Sequence, residues 1–87
     1  MEDLVKKAKE GDASAMEELL DRFKFFIYKQ AGKYNIPSFD FEDLVQHGYL
    51  SVINAVKLYN PVKNSFTTYC TNGIVNNFKA LLKGQIK

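Results

Sequence analysis

What most constrains this chain is a spacing of three and four between apolar residues, sustained over most of its length. Residues 43 to 69 read DLVQHGYLSVINAVKLYNPVKNSFTTY, and Leu44, Val45, Val52, Ile53, Val56 and Tyr59 fall on one helical face. Asp43, Gln46, His47 and Asn54 are left on the opposite, outward face. Asn60 and Pro61 end this helix, because proline cannot donate to a helical carbonyl and biases the residue before it out of the α region.

The same spacing predicts three further helices and no strands. A short helix over about Glu2 to Lys9 ends at Gly11, a residue suited to the left-handed turn that stops a helix. Asp12 caps a long helix with a stripe of Ala15, Met16, Leu19, Leu20, Phe23, Ile27, Ala31 and Tyr34. Phe25 and Phe26 widen that stripe and predict packing on more than one side. Asn35, Pro37 and Ser38 break the helix, and Asp40 caps the next, with Glu42 and Asp43 favoured in its first turn by the helix dipole. Gly48 sits mid-helix, where it costs about 1 kcal/mol against alanine; close approach of a second helix accounts for it. Asn64 or Ser65 caps the last helix, which runs from Phe66 to about Leu82 with Gly84 beyond. The expected fold is all-α, a single compact bundle of three to four helices in one domain, built from segments 1–35, 40–59 and 65–83.

Composition excludes several classes of function. No apolar run approaches the roughly 18 residues of a membrane span, and no signal-peptide core is present, so a cytoplasmic chain is expected. With a single cysteine, Cys70, there is no internal disulfide, and one histidine with one cysteine does not make a tetrahedral zinc site. No nucleophile, base and orienting group recur together, which argues against an enzyme, and no cofactor is implied. Cys70 reads as a packing residue. Charge is uneven: all ten acids lie at or before Asp43, and five lysines (57, 63, 79, 83 and 87) follow without an acid. That half suits a polyanionic partner.

The combination D-L-x-Q-x-G-x-L, A-V-x-x-Y-N-P and F-T-T-Y resembles region 2 of bacterial sigma-70-type factors. The opening LVKKAKEGDASAMEELLDRF, residues 4 to 23, is similar to the start of compact alternative sigma factors. The resemblance implies two partners. Core RNA polymerase, through the clamp helices of its largest subunit, would meet the third helix at Asp43, Leu44, Gln46, His47, Leu50, Ser51 and Asn54. Position 47 is commonly glutamate in the family and is histidine here. Promoter DNA, chiefly the single-stranded −10 region, would meet the segment after the turn. Phe66 and Tyr69 match the aromatics that bracket a flipped base, with Phe66 equally suited to the core because a buried wall of such a pocket serves both; Thr67 and Thr68 lie among the strand-contacting hydroxyls, and Lys63 precedes them. Asn72 follows as a further DNA-binding position, and Asn76, Asn77 and Lys79 lie in the portion that meets the upstream edge of the element. Asparagine can pair with adenine and lysine can neutralise phosphate. Housekeeping factors carry two tryptophans where this chain has Asn72 and Gly73, so the bulky wedge of strand opening is missing.

A second reading is a sigma-derived interaction module, of the kind found in phage or mobile-element regulators or in split factors. Such a module binds polymerase or an anti-sigma partner without opening DNA itself. The −35-reading domain is absent, so a separate subunit would supply it, or the chain is part of a longer factor. The polar, basic end Gln85, Ile86 and Lys87 suits a break within a linker.

Overall fold

The computed structural model describes residues 1–84, and four helices follow one another along it. They are α1 (Glu2–Lys9), α2 (Ala13–Lys33), α3 (Phe41–Leu58) and α4 (Phe66–Leu82), with no strand among the described residues. The basic end at Gln85 to Lys87 lies outside the described residues.

Three helices start on a side-chain oxygen. Asp12 Oδ1 accepts from the Ala15 N–H at 3.1 Å, and Ser65 Oγ accepts from the Thr68 N–H at 3.3 Å. Asp40 and Asp43 form a reciprocal box: Asp40 Oδ1 accepts from the Asp43 N–H at 2.8 Å and Asp43 Oδ2 from the Asp40 N–H at 3.2 Å. Gly11, at φ 103°, follows α1 in the left-handed region that glycine adopts without strain.

The core is drawn from every helix. Leu19, Phe23 and Ile27 of α2 meet Val52 and Val56 of α3 and Phe66, Ile74 and Phe78 of α4, while Val5 and Ala8 bring in α1. Helix α3 packs against both α2 and α4, and α1 lies mainly on α2. Phe66 is fully buried, edge-on to Phe23 at 5.8 Å and to Tyr59 at 5.3 Å. At the other end of α4, Phe78 meets Tyr34 at 5.6 Å.

Packing corrects the width expected of the α2 stripe. Phe26 packs against the core, but Phe25 is 75% exposed, two residues from both Phe23 and Ile27 and so nearly opposite them on the helix. It meets only Tyr28, edge-on at 6.2 Å, and the ammonium of Lys24 at 5.5 Å from its ring.

Gly48 does mark a close approach. A β-carbon there would collide with Ile27 Cγ2 and stand 3.1 Å from Ile27 Cγ1. Ile27 is wholly buried and, being β-branched, has little rotamer freedom with which to yield. Overpacking of this kind costs about 1–3 kcal/mol, and alanine regains about 1 kcal/mol of helix propensity. Gly48→Ala is therefore expected to lose up to about 2 kcal/mol in denaturant unfolding. In that background Ile27→Ala should cost less than it does alone, because it clears the collision. Additive losses in the double-mutant cycle would exclude this contact as the reason for the glycine.

Candidate nucleic-acid and partner surfaces

Two concave surfaces flank α3. The first lies between α2 and α3, a groove of about 450 Å³ with Leu20, Gln46, Tyr49, Leu50 and Ile53 inside and Glu17, Asp21 and Lys24 at its edge. Gln46 and Asn54 are exposed, as is Leu50 at 53%. His47 is half-buried, its ring 5.4 Å from Phe39. Asp43 is exposed, yet one carboxylate oxygen is engaged by the Asp40 N–H. Burial, with the neighbouring Tyr28 hydroxyl, raises the Tyr49 phenol above its ordinary pKa.

Two residues expected on this contact face are instead interior. Leu44 is buried in the core, and Ser51 is buried against α4. Both lie on the side of α3 that turns toward its neighbours, so neither offers a side chain to an outside partner.

The second surface is a groove of about 490 Å³ between α3 and α4. Asn54, Tyr69, Asn72 and Asn76 line it, with Ser51 and Asn77 also on its wall, and no lining side chain is charged. Asn77 Nδ2 donates to Ser51 Oγ at 2.7 Å and to the His47 carbonyl at 3.3 Å. The Ser51 hydroxyl in turn donates to that carbonyl at 2.9 Å. Of the two asparagines expected to meet DNA, Asn76 is exposed, while Asn77 spends its amide nitrogen joining α4 to α3.

Tyr69 is half-buried, its ring tilted against Tyr59 at 5.8 Å. It borders both the amide-lined groove and a smaller cleft of about 220 Å³ formed with Leu58, Asn60, Lys63 and Asn64. Thr67 and Thr68 are exposed on the first turn of α4, where the Ser65 hydroxyl donates to Thr68 Oγ1 at 3.1 Å. Phe66 is not part of this surface. It is sealed between Phe23 and Tyr59, so only Tyr69 of the expected aromatic pair meets solvent. Lys79 is exposed but lies outside the groove lining.

Sequence reasoning missed what Tyr59 does beyond closing a stripe. Its hydroxyl lies 2.7 Å from the Asn64 carbonyl oxygen and 2.9 Å from Glu2 Oε1, and Lys9 Nζ donates to its carbonyl at 3.4 Å. Burial, then the Glu2 carboxylate, raises its phenol above the ordinary pKa. Glu2 and Lys9 lie fifty or more positions away in the chain, and no periodicity reports such a contact.

Among the described residues no group of His, Cys, Asp and Glu is arranged to hold a metal ion, and no helix is long and apolar enough to cross a membrane. A family model for sigma-70 region 2 matches residues 19–85. An uncharacterized protein of Clostridium acetobutylicum is 27% identical over 84 residues, which cover 97% of this chain and 46% of that protein. The chain thus spans less than half the length of this relative. No solved structure gives a significant match.

Cys70 carries a direct test of the packing. It is fully buried in α4, and burial pushes its thiol from 9.0 up to about 12. The unfolded chain therefore releases this proton first, and stability falls as pH rises from the unfolded value through that window. Cys70→Ala should flatten the stability profile as pH rises above 9.0 toward about 12. The native thiol should resist alkylation that the denatured chain accepts. Rapid labelling of the native protein would contradict the buried placement.

Proposed function

The chain belongs to the sigma-70 region 2 family, and on that premise we propose that it binds core RNA polymerase and takes part in promoter recognition by capturing an unstacked base of the −10 element. The polymerase performs the chemistry, and this chain supplies contact and selectivity. The segments divide the work. Residues 1–35 brace the bundle, the α3 helix within 40–59 docks on the clamp helices, and α4 within 65–83 meets DNA.

Tyr69 carries this reading. It is an aromatic side chain with one face on the fold and an edge in two clefts, beside amides that can pair with base edges and next to Lys63. Stacking on such a platform is worth about 1–3 kcal/mol per base and tolerates any base. Discrimination then falls to Asn72 and Asn76, since an amide can donate and accept together. On the docking side Gln46, Leu50 and Asn54 offer an apolar centre with amide edges, the usual make-up of a helix-on-helix interface. His47 is held by Phe39 and contributes less. Leu44, Ser51, Phe66 and Asn77 support these surfaces from beneath.

The interaction-module reading keeps the docking face and drops strand opening. Asn72 and Gly73, small where housekeeping factors have tryptophans, favour it. Binding to isolated clamp helices and to single-stranded −10 DNA separates the two, since the first reading needs both and the second only the former.

Two variants test the two halves. Gln46→Ala with Asn54→Ala is expected to weaken binding to core polymerase while circular dichroism is unchanged; unaltered affinity would remove this face from the interface. Tyr69→Leu retains apolar bulk against Tyr59 but removes the stacking ring. It should keep most of its melting temperature and lose about 1–3 kcal/mol of −10 strand binding. Intact strand binding in a folded Tyr69→Leu chain would defeat the base-capture assignment.

A further inference from the structure

Asn77 reaches the groove between α3 and α4 with half of its amide already engaged. Its Nδ2 donates to Ser51 Oγ at 2.7 Å and to the His47 carbonyl at 3.3 Å. A primary amide has two N–H hydrogens, so its donor end is fully used. Chemistry also fixes which way the amide points. The His47 carbonyl can only accept, and turning the amide over would set two oxygens against each other. Ser51 reinforces this direction, because its hydroxyl donates to the same carbonyl at 2.9 Å and leaves its oxygen to accept from Asn77.

The other end of the amide is open. Asn77 Oδ1 has no donor among the described residues, and no buried side-chain oxygen or nitrogen there is left without a partner, so this oxygen is not enclosed. Asn77 stands on the groove wall together with Ala55, Leu58 and Ala80. At Gly73, on the same wall, an added β-carbon would meet nothing within 4 Å. The groove therefore holds one acceptor of fixed direction beside open, apolar surface. Asn54, Asn72 and Asn76 are exposed, and an exposed amide can turn either end to a partner. No charged side chain lines the groove to override so directional a contact.

We infer that Asn77 selects a nucleobase by its exocyclic amino group. N6 of adenine or N4 of cytosine would donate to Asn77 Oδ1, whereas O6 of guanine or O4 of thymine would face it as a second acceptor. With its donors spent, Asn77 makes a single bond to adenine and not the two-point pairing open to a free asparagine. It stands about two turns beyond Tyr69, roughly 12 Å along α4. The base it meets is thus a neighbour of the one that stacks on the tyrosine ring. This role rests on the base-capture reading of Tyr69, to which it adds a rule of selection. Ser51 and the His47 carbonyl are positioning groups, since they hold the amide with its oxygen outward.

The test uses the whole chain and single strands in which each adenine in turn is replaced by purine, which lacks only the amino group. At one position the unaltered chain should lose about fivefold in affinity, the worth of one neutral hydrogen bond. Cytosine at that position should bind better than thymine. In Asn77→Ala the adenine and purine strands should bind equally there. That variant also breaks the bridge between the helices, so Ser51→Ala serves beside it. Ser51→Ala loses the shorter bond, keeps the His47 carbonyl and should keep the preference for adenine. Equal binding of adenine and purine at every position by the unaltered chain would overturn the assignment without recourse to any variant. A preference that survives in a folded Asn77→Ala chain, or vanishes equally in Ser51→Ala, would overturn it too. Failure of Tyr69→Leu to weaken strand binding, with the amino-group preference intact, would instead strike the base-capture reading, so the two failures are told apart.

Discussion

Phe66, held edge-on between Phe23 and Tyr59, is the contact on which the rest of the arrangement depends. It is the first residue of α4, directly after the turn, so burying it fixes where that helix starts. Through Phe23 it ties the start of α4 to the middle of α2, and through Tyr59 to the end of α3. Loss of a fully buried phenylalanine costs about 3–5 kcal/mol, a large share of the stability of a domain this small. The turn carries Asn60, Lys63 and Asn64, which are exposed; the Asn64 carbonyl is held at 2.7 Å by the hydroxyl of Tyr59, the ring on which Phe66 packs. A ring with no contact to any partner thus decides where Tyr69 and Lys63 stand.

The helix pair α3 and α4 shows how polar groups serve an apolar interface. Ile74 and Phe78 of α4 and Val52 and Val56 of α3 provide burial without direction. Asn77, donating to Ser51 and to the His47 carbonyl, supplies the direction, because a half-buried amide left unpaired would cost about 1–3 kcal/mol. That bond fixes the rotation of α4 and so presents Asn72 and Asn76 to the groove.

Local signals in the sequence carried the helices well. Asp12, Asp40, Ser65 and Gly11 mark their ends by chemistry that acts over three or four residues, and the apolar stripes mark their inner faces. Contact roles transferred by resemblance fared unevenly. Leu44 turns inward as the apolar stripe of α3 predicts, against the contact role, while the inward turn of Ser51 and Phe66 depends on how three helices lean on one another and not on any one of them. Asn77 turns to α3 for the same reason: its partner Ser51 is 26 residues away, and only packing says which way the amide points. Phe25 departs oppositely, because hydrophobicity predicts burial, whereas two helical steps from Phe23, about 200°, put the ring on the far face in water. Glu2 and Lys9 gave no sign of their bonds to Tyr59.

The absence of charge from the amide-lined groove has a kinetic consequence. Lysines attract a strand from a distance and set how often the two meet, an influence that weakens as salt screens it. A neutral wall of amides has no such reach and acts only after contact, through hydrogen bonds whose loss governs departure. Under the proposed function, arrival and dwell time are therefore assigned to different residues. Substitutions at the lysines would alter encounter frequency for every sequence alike. Changes at Asn72 or Asn76 would alter how long particular sequences stay.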